Sequence, residues 1–271
     1  MKIDHRDLIV TGIPRAGTTL LAACVDSLED AVCLSEPEWQ ALWSQETKDR
    51  LEYIARLSED FDRVRHILQD GASVPDRRRD DQAPVTDYYR QPGAAGAKYE
   101  VQQLNRVGLS KDFLLGMKHN AHYTCVLDEL LDEDRFHVLA IVRHPVATIQ
   151  SWRSLPIPIR EGRLPAAERF WPEIAALWQD TNDLLEVQVR IYGLFCQRFW
   201  ENSGRLTVIR YEDLLSDHDL VEKLFDRKYV RDILIDGTRQ CDAENLEESS
   251  QIRKLVQTHC PVVREYYPDM Q

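Results

Sequence analysis

A chain of 271 residues that is 43% hydrophobic has enough apolar surface to bury one sizeable core, and we read residues 1–271 as a single domain with insertions. Its 46 acidic against 34 basic residues leave a formal net charge of -12, which excludes a protein that coats nucleic acid or an anionic membrane surface, so any anion site has to be local. No run approaches the ~20 apolar residues that span a bilayer, and the polar opening MKIDHRDLIVTG leaves no room for the parts of a signal peptide, so a soluble, cytoplasmic protein without membrane insertion is expected.

In chain order, Asp7 to Ile13 reads as a buried strand, and Thr18 to Leu28 as a helix entered through a Gly-containing turn. Ala31 to Leu34 is a second short apolar run; it ends in Ser35-Glu36-Pro37, where the proline disfavours helix at Glu36 and marks a strand exit. Helical periodicity runs from Glu38 to about Gln69. Residues 71–97, rich in proline and glycine around Arg77-Arg78-Arg79-Asp80-Asp81, are too polar and too broken for a core element and read as a long surface lid or acceptor loop; together with the proline-rich run Leu155 to Pro165 it is where selection of any acceptor is expected. Asp112 to Lys118 and Phe136 to Val142 have the build of central strands, with a helical run from Asn120 to Leu131 between them. A helix begins near Pro145, helical spacing continues from about Ala166 to Asn202 with a break at Pro172, and Arg205 to Tyr211 is a further strand. Strands alternating with helices predict an α/β fold of three layers, α/β/α, around a central parallel sheet. The six cysteines, Cys24, Cys33, Cys125, Cys196, Cys241 and Cys260, show no CxxC or CxxH spacing and read as buried free thiols.

Chemistry concentrates at three strand exits. Gly12-Ile13-Pro14-Arg15-Ala16-Gly17-Thr18-Thr19 sits where a strand gives way to a helix, so backbone N–H groups and the helix N-terminus converge on an anion. A triphosphate-binding Walker loop would carry lysine after its second glycine; here Thr18 holds that slot and the cation is Arg15, whose planar fork suits a sulfate or phosphate. The second exit is Arg143, where a Mg²⁺-organising aspartate would stand in an ATPase, followed eight residues on by Ser151. The third is Val208-Ile209-Arg210-Tyr211-Glu212-Asp213-Leu214.

Pro14-Arg15-Ala16-Gly17-Thr18-Thr19-Leu20 resembles the 5′-phosphosulfate loop, P-[KR]-[ST]-G-T-[TS], of the sulfotransferases that use 3′-phosphoadenosine 5′-phosphosulfate (PAPS); Ala16 departs from it by lacking the hydroxyl. Arg143-His144-Pro145 through Ser151 is similar to the family's R-x-P-x5-S motif for the 3′-phosphate, and the stretch at Tyr211 resembles a Y-E-D-L segment near the nucleotide. The resemblance implies the P-loop-like sulfotransferase fold, PAPS as donor and its desulfated product PAP, no metal, and a nucleotide held by Pro14, Arg15, Ala16, Gly17, Thr18, Thr19, Arg143, Ser151 and Tyr211. The family's C-terminal R-K-G clamp is not recognisable, and Arg253 and Lys254 are the residues available to replace it.

The acceptor must lose a proton. Glu36 is the first candidate base: it leaves a strand on the edge that carries the phosphate loop, and Ser35-Glu36-Pro37-Glu38-Trp39 is similar to the E-P-x-W stretch of carbohydrate sulfotransferases. His119, or His122, is the rival, because Gly116-Met117-Lys118-His119 resembles the K-x-H segment of small-molecule sulfotransferases; Lys118 is a candidate for neutralising the transferring group. The expected activity is sulfuryl transfer from PAPS to a hydroxyl or amine of a small-molecule or carbohydrate acceptor, with a homodimer left open. A P-loop kinase or NTPase, and a non-catalytic PAP-binding protein, are the alternatives.

Overall fold

A computed structural model describes residues 3, 5–79, 81–88, 100–233 and 246–270. The chain opens with β1 (Asp7–Gly12), α1 (Thr18–Asp26) and β2 (Ala31–Ser35), then α2 (Glu38–Glu46) and α3 (Arg50–Gln69). The predicted single helical stretch is broken at Thr47–Asp49, where Asp49 accepts the Glu52 N–H and caps α3. Next come β3 (Val74–Arg78), β4 (Glu100–Leu104), β5 (Leu114–Lys118), α4 (Asn120–Cys125), α5 (Leu127–Asp132) and β6 (Phe136–Val142). The remainder is mostly helical: α6 (Pro145–Arg153), α7 (Pro165–Glu168), α8 (Glu173–Asp180), α9 (Leu184–Glu201), β7 (Thr207–Arg210), α10 (Tyr211–Ser216), α11 (Leu220–Phe225) and α12 (Leu246–His259).

Five strands form one parallel sheet in the order β2-β5-β1-β6-β7. Leu8, Ile9 and Val10 of β1 and Val138 to Val142 of β6 are fully buried, the run of apolar residues that a sheet covered on both faces demands. The connection from β1 to β2 moves one way along the sheet and that from β5 to β6 the other, so right-handed crossovers put α1 and the α4–α5 pair on opposite faces. β1 therefore stands at the switch in strand order, where the C-terminal edge of an open α/β sheet leaves a crevice.

The stretch read as a surface loop differs from expectation. Val74–Arg78 is a strand, paired antiparallel with β4 as a two-stranded sheet, and Arg78 is completely buried. Composition misled because the charges are paired internally: Arg78 meets Asp26 at 2.6 Å and Asp76 at 2.7 Å, and Arg106 reaches Asp26 at 2.6 Å. These carboxylates also serve the outer edge of β2, where Cys33 N–H donates to Asp26 and Ser35 N–H to Asp76, each at 3.0 Å. An unpaired sheet edge is thereby closed by side chains. The rest of the proposed lid, residues 80 and 89–97, lies outside the described residues, as does Cys241. The five described cysteines are buried and unpaired. Among the described residues no helix is long and apolar enough to cross a membrane.

Candidate active site

Because the five strands run parallel, everything just beyond their last residues emerges on one edge of the sheet. β1 runs into the loop carrying Arg15, β2 into Glu36, β6 into Arg143 and β7 into Tyr211, while β5 ends on Lys118 itself. All five line one cavity of about 380 Å³, together with Pro14, Gly17, Thr18, Thr19 and Ser151. Ten of the residues singled out in the sequence thus meet in space. Ala16, fully buried, is part of the loop but not of the lining, and His119 does not line the cavity.

The loop after β1 is bent tightly around its backbone. Gly12 (φ 148°) lies against the carbonyl of Ile141, so a Cβ there would strike the β6 backbone. Gly17 (φ 97°) lies under the Tyr211 ring, which leaves no room for a side chain. Arg15 itself has φ 67°, a left-handed conformation that ordinary residues adopt at a cost and that is concentrated at functional sites. Trp152 Nε1 donates to the Pro14 carbonyl at 2.6 Å and ties the loop to α6. Arg15 Nε reaches Ser151 Oγ, Arg15 Nη1 reaches Asp87 Oδ1, and Arg143 Nη1 reaches the Arg15 carbonyl, all at 3.4 Å. The Arg143 guanidinium lies 4.8 Å from the centroid of the Tyr211 ring, and its own carbonyl accepts from Tyr192 Oη at 2.6 Å. Two guanidinium groups and two threonine hydroxyls thus face a glycine-lined turn at a helix N-terminus, a donor set for anions.

On the β2–β5 side the charges are already paired. Lys118 Nζ donates to Glu36 Oε1 at 2.5 Å and to Thr19 Oγ1 at 3.3 Å, and Arg77 Nη1 donates to Glu36 Oε2 at 2.7 Å. Glu36 has φ 52°, and its backbone N–H is held by the Lys118 carbonyl at 2.9 Å. Proline after Glu36 disfavours helix there, as expected, but the strand exit is left-handed rather than extended. Burial works against ionising Glu36, yet the bonded cations Lys118 and Arg77 outweigh it and hold the carboxyl down to about 2. Burial depresses the Lys118 ammonium, and Glu36 only partly restores it.

The histidines stand behind this pair. His119 and His122 stack at 4.0 Å between ring centroids, with neither Nδ1 hydrogen-bonded. Burial pushes His119 well below its ordinary range and His122 down to about 4, which keeps both neutral near pH 7. Arg253 and Lys254 are likewise absent from the lining; Arg253 turns to the C-terminal Met270 and Asp269.

Several lining residues escaped the sequence reading. Thr86, Asp87, Tyr88 and Asn120 contribute polar groups that were not named individually, whereas the apolar wall of Ile157, Pro158, Leu164, Pro165 and Ala166 lies in and beside the proline-rich run Leu155 to Pro165 expected above the sheet edge. Arg77 was hidden in an arginine run that only strand alternation, with 76 and 78 on one side and 77 on the other, resolves. Among the described residues no group of three or more His, Cys, Asp or Glu side chains is placed to hold a metal ion.

No curated protein matches the chain. A family model described as "Sulfotransferase family" matches residues 7–226, which runs from β1 through α11 and takes in each strand exit of the cavity. With well over half of its length matched, the chain belongs to the sulfotransferase family.

Proposed function

We propose that this sulfotransferase takes its sulfuryl group from PAPS and passes it to a hydroxyl or amine of a small-molecule or carbohydrate acceptor. The observation that carries the reading is the convergence of Arg15 and Arg143 from the exits of β1 and β6 on one cavity, with Thr18 in the slot of an ATPase's loop lysine and Arg143 in that of its metal-binding acid. Arg15, Thr18, Thr19 and the loop N–H groups take the 5′-phosphosulfate, Arg143 and Ser151 the 3′-phosphate, and Tyr211 backs Arg143 and covers Gly17. Lys118 faces the transferring group.

In the step itself the acceptor oxygen or nitrogen forms a bond to sulfur while the bond from sulfur to the bridging phosphate oxygen breaks. The electron pair leaves with PAP, the acceptor proton goes to Glu36, and Arg15 and Lys118 balance the charge that develops on the oxygens. Glu36 is preferred over His119 because it lines the cavity and His119 does not. The apolar wall from Ile157 to Ala166 faces the acceptor, since loops above a rigid sheet edge usually carry selection. The unpaired buried thiols fit a reducing, cytoplasmic compartment.

The kinase alternative requires Mg-ATP. Transfer of labelled sulfate from PAPS to a panel of phenols, alcohols, amines and sugars tests the reading. Transfer to at least one acceptor, lost in Glu36→Gln, is expected; PAP binding with no transfer to any acceptor would leave a nucleotide-binding protein instead.

A further inference from the structure

Side chains of β3 point alternately to opposite sides. Asp76 and Arg78 face inward and lock onto Asp26 and the outer edge of β2, bonded at Cys33 and Ser35. Arg77, between them, faces the other way and donates to Glu36 Oε2 at 2.7 Å. The two cations on Glu36 therefore differ in where they stand. Lys118 lines the cavity and already reaches Thr19 of the phosphate loop, so an incoming anion can draw it away from Oε1. Arg77 is not part of the lining, and the buried network one residue to either side fixes its backbone.

We infer that Arg77 is a positioning residue: it keeps hold of Glu36 Oε2 from outside the cavity, so that Oε1 stays aimed at the acceptor when Lys118 turns to the sulfuryl oxygens. The inference rests on Glu36 being the base. Tyr88 completes the arrangement, with Arg77 at 5.4 Å and Lys118 at 5.2 Å from its ring centroid and its hydroxyl donating to Ser35 Oγ at 2.6 Å. Among the described residues the groups facing Glu36 are Lys118 and His119 at the end of β5, His122 and Tyr123 of α4, Arg77 of β3, and Tyr88. Of these only Arg77 and Lys118 bond to the carboxylate. A two-cation clamp places a cation on each carboxylate oxygen; a clamp with one fixed and one exchangeable member frees one oxygen to take the proton.

The test compares wild type, Arg77→Met and Arg77→Lys by two readouts. The first is the ¹³C titration of the Glu36 carboxylate in glutamate-labelled protein, assigned by its loss in Glu36→Gln. The second is the pH profile of kcat/KM for sulfuryl transfer. Arg77→Met is expected to move the Glu36 titration upward, to move the acid limb of kcat/KM with it, and to lower kcat/KM about tenfold to a hundredfold. PAP affinity should stay within about twofold, since Arg77 does not line the cavity; Arg77→Lys should recover most of the shift and much of the rate. A Glu36 titration unmoved in Arg77→Met overturns the inference. A moved titration with an unmoved acid limb instead overturns Glu36 as base, and the positioning role with it. If Arg77→Met does not fold, Arg77→Lys and Arg77→Gln carry the same comparison.

Discussion

On the phosphate-loop side of the cavity, Arg15 and Arg143 are held by hydrogen bonds of 3.4 Å, whereas across it Lys118 and Arg77 grip Glu36 at 2.5 and 2.7 Å. Long contacts around a cation are cheap to exchange for those of an anion; of the two short charge-assisted contacts on Glu36, that of Lys118 is the exchangeable one, because its ammonium also reaches Thr19 inside the cavity. One half, where the Asp87 carboxylate meets Arg15 at 3.4 Å, is thus set to receive negative charge from a ligand, while the other holds its carboxylate fast. The difference separates binding from chemistry and can be broken one half at a time.

The largest effect should come from Glu36→Gln, which removes the proposed base: a fall in turnover of about a thousandfold, with PAP affinity nearly unchanged, measured by labelled-sulfate transfer and calorimetry. Unchanged turnover would show that the acceptor proton leaves another way. Next is Arg78→Met, which strands the buried carboxylates of Asp26 and Asp76; it should lower stability by about 3–5 kcal/mol in denaturant unfolding. Arg143→Ala reverses the signature of Glu36→Gln, weakening PAP binding by about tenfold to a hundredfold. Equal PAP affinity in wild type and variant would remove Arg143 from the 3′-phosphate site.

The smallest effect is on acid stability. Glu36 sits at about 2 against an ordinary 4.5, so its carboxylate form favours the fold; that contribution is complete above about 4.5 and is lost as pH falls toward 2. His122, lowered from 6.5 to about 4, binds its proton more readily when unfolded, so stability also drops as pH falls from 6.5 through 4. The Tm gap between His122→Gln and wild type should therefore shift in favour of the variant between pH 6.5 and 4, and a constant gap would contradict this.

Much of the fold was legible because the parallel strands are continuous apolar runs: Phe136 to Val142 matches β6 residue for residue. The site followed from the same feature, since in a parallel sheet the residue after each strand shares one edge with the others. β3 was not legible. Its charges are satisfied by partners distant in sequence, Asp26 and Glu36 among them, and composition cannot distinguish an internally paired arginine from a solvated one. The clamp on Glu36 was hidden for the same reason, whereas the proline-rich run after α6 could be read as a loop above the sheet edge, though not which of its residues would line the cavity.

The central claim, a PAPS-type donor held without a metal-nucleotide, is tested most directly by calorimetry of PAP and of ATP, each with and without Mg²⁺. The account predicts tight PAP binding that does not depend on Mg²⁺, with little affinity for ATP. Preferential binding of Mg-ATP would contradict it.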